Sequence, residues 1–143
     1  VSPYKAACFC GEIEVKITGE PLAMLVCHCA VCRAWSAAPV TGATLFKPRD
    51  VSITKGAEAL RSFARNEGHN RSWCDICGGH VLADHRDTYG IVDVYAAIIE
   101  NFTFEPSAHV NYEHTVLPIK DRLPKFKDFP EAFGGSGVMV DDS

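Results

Sequence analysis

The chain of 143 residues is 47% hydrophobic and 22% charged, a balance that fits one compact domain with its own core and excludes the polar, highly charged regime of disordered chains. The formal net charge is −4, and Lys and Arg form no basic stripe. Nucleic acid is therefore an unlikely partner, the one modest basic cluster, Lys120 to Lys127, being interrupted by Asp121. No apolar run approaches the roughly 20 residues that span a bilayer, and Val1 to Lys5 is not followed by the apolar stretch of a secretory signal, so the expected location is cytoplasmic.

Short strands separated by turns dominate the chain. Glu12 to Thr18 alternates polar and apolar residues at period two, as a half-buried strand does, and Gly19-Glu20-Pro21 ends it. Leu22 to Val26 is a short apolar run leading to Cys27. Val40 to Phe46 reads as a strand closed by Lys47-Pro48-Arg49-Asp50, and Val51 to Thr54 alternates again before Lys55-Gly56. Leu60 to Ala64 and His80 to Ala83 are further strand candidates. Ile91 to Ile99 is apolar around Asp93 and predicts one or two strands.

Helical signal is sparse. Cys29 to Trp35 predicts a short helical turn, because Ala30, Arg33 and Ala34 favour it, and Glu131 to Phe133 predicts another. The expected fold is thus mainly β, a single domain of short antiparallel strands over residues 1–133, followed by a loose tail over 134–143. A small β domain with a limited core commonly uses a metal as a staple.

The seven cysteines fall into three clusters: Cys8-Phe9-Cys10-Gly11, Cys27-His28-Cys29-Ala30-Val31-Cys32 and Cys74-Asp75-Ile76-Cys77-Gly78-Gly79. An odd count in a reducing compartment argues against a complete disulfide framework and for metal ligation or catalysis. Zinc takes four ligands tetrahedrally, and a pair of cysteines one or two residues apart can wrap a tight turn so that both sulfurs face one centre. A following glycine, here Gly11 or Gly78, lets the backbone bend at positive φ. Cys8, Cys10, Cys74 and Cys77 make a closed four-thiolate set. Cys27, Cys29 and Cys32 supply three sulfurs and leave a fourth position open to water or a substrate thiolate, whose pKa zinc would lower. Two zinc ions are expected. The competing readings are one zinc with a redox-active leftover cluster, disulfides between clusters, and buried unreactive thiols.

Other polar residues carry weaker signals. His28 lies between two cysteines, and its side chain is expected to point away from the metal, the alternative being contact with metal or substrate. His69, His80, His85, His109 and His114 read as surface or capping histidines. Asp93 reads as a turn or edge residue, with a buried functional carboxylate as the alternative. Arg33 either pairs with a substrate carboxylate or solvates the surface.

At the cysteine clusters the chain resembles the glutathione-dependent formaldehyde-activating enzyme family, which includes centromere protein V. The family pattern of Cys-x-Cys-Gly, then Cys-His-Cys-x-x-Cys-Arg, then an aromatic residue with Cys-x-x-Cys-Gly is met by Cys8 to Gly11, by Cys27 to Arg33 and by Trp73 to Gly78. A proline followed by a histidine is resembled by Pro106 to His109. Family members often carry a tryptophan shortly after that histidine, and Asn111-Tyr112-Glu113-His114 has none. The resemblance covers about Tyr4 to His109. It implies a β-tent fold, a structural zinc on Cys8, Cys10, Cys74 and Cys77, and a catalytic zinc on Cys27, Cys29 and Cys32. The implied activity joins formaldehyde and glutathione into S-hydroxymethylglutathione, a carbon–sulfur lyase reaction in the reverse sense. The expected partners are a small thiol such as glutathione and an aldehyde. The alternatives are a thiol carrier without turnover and a zinc-stapled interaction module.

Overall fold

The computed structural model describes Ser2–Asp141. These residues form a mainly β structure with a single α-helix. In chain order the first elements are β1 (Tyr4–Ala7), β2 (Glu14–Ile17), β3 (Ala23–Cys27), α1 (Ala30–Ser36), β4 (Thr41–Phe46), β5 (Val51–Lys55) and β6 (Leu60–Phe63). They are followed by β7 (Asn70–Cys74), β8 (His80–His85), β9 (Ile91–Val94) and β10 (Ala108–Val110). Short 3-10 turns stand between them, among them Tyr112–His114 and Glu131–Phe133. No helix among the described residues is long and apolar enough to cross a membrane. Contacts divide the chain into two compact units, Val1–Ala23 with Thr44–Phe104 and Met24–Ala43 with Glu105–Ser143.

In the first unit, β1, β2 and β5 form an antiparallel sheet in that order. Alternation places Tyr4 and Ala6 of β1 opposite Ile17 and Val15 of β2, all four buried, while Lys5 and Lys16 face outward. The remaining strands of this unit run antiparallel in the order β4-β9-β8-β7-β6, β4 entering the unit at Thr44. Ile13, Val15, Ile17, Phe46, Val81, Val92 and Val94 fill the core. These are mostly β-branched residues, stiff at χ1 and well suited to a pleated surface. Cys8 and Cys74 belong to the same buried cluster.

The strands expected at 12–18, 22–26, 40–46, 51–54, 60–64 and 80–83 are present as β2 to β6 and β8. The apolar run at 91–99 is one strand, β9, followed by a 3-10 turn over Ala96–Ile98. There the Ile98 and Ile99 amides donate to the Tyr95 and Ala96 carbonyls and end the ladder. β1, β7 and β10 carry no sequence expectation.

Asp93 corrects its reading as a turn or edge residue. It lies within β9, between Leu45 of β4 and Ala83 of β8, and only 9% of its surface is exposed. Its Oδ1 accepts the Thr44 amide N–H at 2.9 Å. Burial pushes its carboxyl up to about 7, against the pull of the Thr44 amide and the Arg71 charge.

In the second unit, β10 pairs with β3 in parallel, with Leu25, Val26 and Cys27 beside Ala108, His109 and Val110. This departs from the all-antiparallel expectation. The chain leaves β3 through α1 and returns only at Glu105, and such a long connection permits a parallel partner. On its other side β10 meets Pro124 to Phe126: the His109 N–H donates to Pro124 O and the Phe126 N–H to His109 O, both at 2.9 Å. Gly137, Val138 and Val140 are hydrogen-bonded in turn to Phe129, Lys127 and Lys125. Those three belong to the expected 134–143 tail, whose Asp142 and Ser143 lie outside the described residues.

The raised Asp93 carboxyl sets a sign for the pH dependence of stability. Its folded pKa lies above the unfolded value of about 3.9, so between these the folded state holds a proton that the unfolded state has released. Stability from this group is therefore full below about pH 4 and falls as pH rises to about 7, by roughly 1.4 kcal/mol per pH unit at the steepest. Asp93→Asn keeps an acceptor for Thr44 and removes the titration. Its unfolding free energy relative to the parent chain is expected to be higher at pH 8.5 than at pH 6, measured by urea denaturation. An identical difference at the two pH values would refute the assignment.

Candidate metal centres

Two groups of sulfurs converge, one in each unit. In the first unit Cys8 opens the loop after β1, Cys10 follows at the tip, Cys74 closes β7, and Cys77 follows in the turn before β8. Their four Sγ atoms all lie within 4.8 Å of one another, although the two pairs are 64 residues apart in sequence. Both turns use glycine as expected. Gly11 has φ 81 and its N–H donates to Cys8 O; Gly78 has φ 76 and its N–H donates to Cys74 O. Backbone amides also reach the sulfurs: Ile13 N–H to Cys8 Sγ at 3.3 Å and Gly79 N–H to Cys77 Sγ at 3.4 Å.

These groups fit a tetrahedral thiolate site. Four sulfurs about 2.3 Å from a central zinc stand about 3.8 Å from each other. Cys8 and Cys10 are 3.7 Å apart, and Cys10 and Cys74 are 3.8 Å apart. The Gly79 amide pulls the Cys77 thiol down to about 7 against burial. The Glu12 amide favours the Cys10 thiolate, but desolvation and the neighbouring Cys77, Cys8 and Cys74 sulfurs outweigh it and push that thiol up to about 12. Four sulfurs this close cannot all be thiolates unless a cation stands among them.

In the second unit Cys27 ends β3, and Cys29 and Cys32 open α1. Cys29 is the N-cap, its sulfur accepting the Cys32 amide at 3.2 Å, a position where a side-chain acceptor stabilises the helix start. Their three Sγ atoms also lie within 4.8 Å of one another, with Cys27 and Cys32 at 3.8 Å, again the tetrahedral edge. Among the described residues no fourth His, Cys, Asp or Glu joins them. The neighbouring Cys29 and Cys32 sulfurs, together with burial, push the Cys27 thiol well up. None of the seven cysteines is in a disulfide, so no disulfide links the clusters.

A line of polar side chains, three of them buried, underlies this loop. Thr115 Oγ1 is 2.7 Å from His28 Nδ1, His28 Nε2 is 2.8 Å from His109 Nδ1, and His109 Nε2 is 2.8 Å from Asp121 Oδ2. Lys125 Nζ donates to Asp121 Oδ1 at 2.7 Å. His28 and His109 are fully buried and Lys125 nearly so. The Lys125 hydrogen bond holds the Asp121 carboxyl well below its usual range against desolvation, so Asp121 is an acceptor and His109 Nε2 donates to it. For neutral rings this fixes one sense along the line: Thr115 O–H to His28, His28 N–H to His109, His109 N–H to Asp121. Burial, with the charges of His109 and Arg33, lowers His28 to about 4.

His28 thus points away from the sulfurs, as its place between two cysteines suggests, and both ring nitrogens are engaged by other side chains. His109 is a fully buried member of this line, not the surface or capping histidine expected. The Arg33 Nε donates to His28 O at 3.2 Å, folding the half-buried side chain back on the loop. Lys125, counted in the basic cluster at 120–127, is buried and paired with Asp121, whereas Lys120, Arg122 and Lys127 are exposed. His69 and His85 meet each other, Nδ1 to Nδ1 at 2.8 Å, in the first unit, and His114 stands 3.2 Å from Glu113. Asp93 belongs to neither cysteine group. Sequence reasoning did not single out Asn111, Thr115 or the Asp121–Lys125 pair.

The family model described as "Glutathione-dependent formaldehyde-activating enzyme" matches residues 3–114, a span that contains all three cysteine clusters. No curated protein matches the chain. Among solved structures, the crystal structure of a Rhodobacter sphaeroides protein is similar, with TM-score 0.58 and 24% identity over 69% of this chain and 90% of that one, a likeness that speaks for the fold alone. The extent of the family match, taking in every cysteine, means that the chain belongs to the glutathione-dependent formaldehyde-activating enzyme family.

Proposed function

We propose that this chain is a zinc-dependent carbon–sulfur lyase that joins a thiol, glutathione by the description of its family, to formaldehyde or a related small aldehyde. The observation that carries the reading is the contrast between the two groups of sulfurs. Four converge in one unit, a full set for a tetrahedral ion, whereas three converge in the other with no fourth side-chain ligand among the described residues. The closed set, Cys8, Cys10, Cys74 and Cys77, is the structural site in this reading. Cys27, Cys29 and Cys32 form the open, catalytic one.

Zinc on the three-cysteine loop would supply a Lewis acid that keeps a bound thiol deprotonated near neutral pH. The reaction forms a bond between the thiol sulfur and the aldehyde carbon, and the proton lost from sulfur ends on the aldehyde oxygen. The reverse direction breaks the same bond. The chain's own contribution is placement. α1 and its Cys29 cap hold two sulfurs at the helix start, and β3 holds the third at its end. The buried His28 side chain fastens the loop from beneath, and the Arg33 guanidinium fastens it through the His28 carbonyl. A thiolate bound beside the sulfurs of Cys27, Cys29 and Cys32 would meet the aldehyde in one orientation, which would replace a free encounter with a positioned one.

The two sites are expected to respond differently to substitution. Cys77→Ser is expected to lower the melting temperature sharply or abolish folding, because a structural zinc contributes folding free energy directly. Cys29→Ser is expected to lose activity and one zinc per chain while remaining folded. Equal destabilisation in thermal melts would refute the division of roles.

The parent protein, purified under reducing conditions, is expected to carry two zinc ions per chain by elemental analysis. It is also expected to consume formaldehyde and glutathione faster than the two react unaided at the same concentrations. A rate no greater than the unaided one would leave a thiol-binding protein without turnover.

A further inference from the structure

The three-cysteine loop is met by a residue outside its own spacing. Val110, the last residue of β10, stands beside Cys27, and Asn111 follows directly. The Asn111 backbone is left-handed, φ 53, and pinned on both sides: its N–H donates to Asp128 O at 2.7 Å, and its carbonyl accepts the His114 N–H at 3.1 Å. Its side chain makes no capping bond to the 3-10 turn that it precedes. Instead, Nδ2 donates to Cys27 Sγ at 3.6 Å. Asparagine is one of the few residues other than glycine that visit this backbone region readily. One residue therefore supplies both the turn and an N–H aimed at the sulfur.

We infer that Asn111 is a positioning residue of the three-cysteine centre, its amide fixing the direction of the Cys27 sulfur and withdrawing charge from it, and so setting how tightly the loop holds a metal ion. The inference rests on reading that loop as a metal site. Cys27 is only 6% exposed, so water is poorly placed to replace the lost donor. Groups that hydrogen-bond to metal ligands typically change metal affinity by about 10- to 100-fold when removed.

The test uses the full chain, stripped of metal and titrated with cobalt(II), followed by sulfur-to-cobalt charge-transfer absorption. Subtracting the spectrum of Cys29→Ser, which retains the four-cysteine set, isolates the three-cysteine signal. Asn111→Gly keeps the left-handed backbone and removes the donor, while Asn111→Asp keeps the shape and replaces the donor with an acceptor. Asn111→Gly is expected to bind cobalt at this loop about tenfold more weakly. Both variants should shift the band to lower energy, since a sulfur without its hydrogen bond gives up electrons more easily. Parental affinity and band position in both variants would overturn the role of Asn111 while leaving the metal site standing. A shift in Asn111→Asp alone would also overturn it, because added charge and not the missing donor would then be the cause. The absence of any difference signal in the parent chain would overturn the metal reading and the inference together.

Discussion

Mutual repulsion among crowded sulfurs is the constraint on which the first unit depends. Cys8, Cys10, Cys74 and Cys77 come together from segments far apart in sequence, and Cys8 and Cys74 are continuous with the apolar cluster of Ile13, Val15 and Val81. Desolvation opposes thiolates in such a place, and their closeness opposes them again. A cation at the centre would reverse both effects and turn the convergence into a cross-link between the β1–β2 loop and the β7–β8 turn, continuous with the core through Cys8 and Cys74.

The second unit is held together by different means. Its buried apolar residues are few, and its interior includes two imidazoles and an ammonium group. Burying Lys125 is tolerable because Asp121 accepts its proton-bearing end, and burying the histidines is tolerable because each ring nitrogen has a partner. Such a network is more directional than an oily core. It defines where the backbone of the Cys27–Cys32 loop lies and how its carbonyls and side chains face, and a metal-binding loop needs that definition.

Local features were legible in the sequence, and long-range ones were not. Cysteine spacing is local, and so the division into a four-sulfur and a three-sulfur group could be read directly. The period-two pattern of β2 and β5 is equally local. β7, Asn-Arg-Ser-Trp-Cys, hides because its two buried positions are Ser72 and Cys74 and its first two residues are polar, so no apolar alternation marks it. β10 hides because three residues are too short for any period. Asp93 misled because a carboxylate within an apolar run normally signals a turn, whereas here the Thr44 amide receives it inside the sheet. The line from Thr115 to Lys125 joins residues as far apart as His28 and Lys125 through side chains alone, and no periodicity announces that kind of contact.

The two cysteine groups also differ in how much of their geometry exists before folding. Cys27, Cys29 and Cys32 span six consecutive residues, so an unfolded chain already keeps all three sulfurs within reach of one ion. An ion bound there is shared between folded and unfolded states and shifts the balance between them only by the difference in affinity. The four-sulfur group requires closure of a loop of some 64 residues, a costly encounter that the unfolded chain rarely makes. Metal bound at that group would select the folded chain almost exclusively, whereas metal at the three-sulfur loop would come and go with the fold intact.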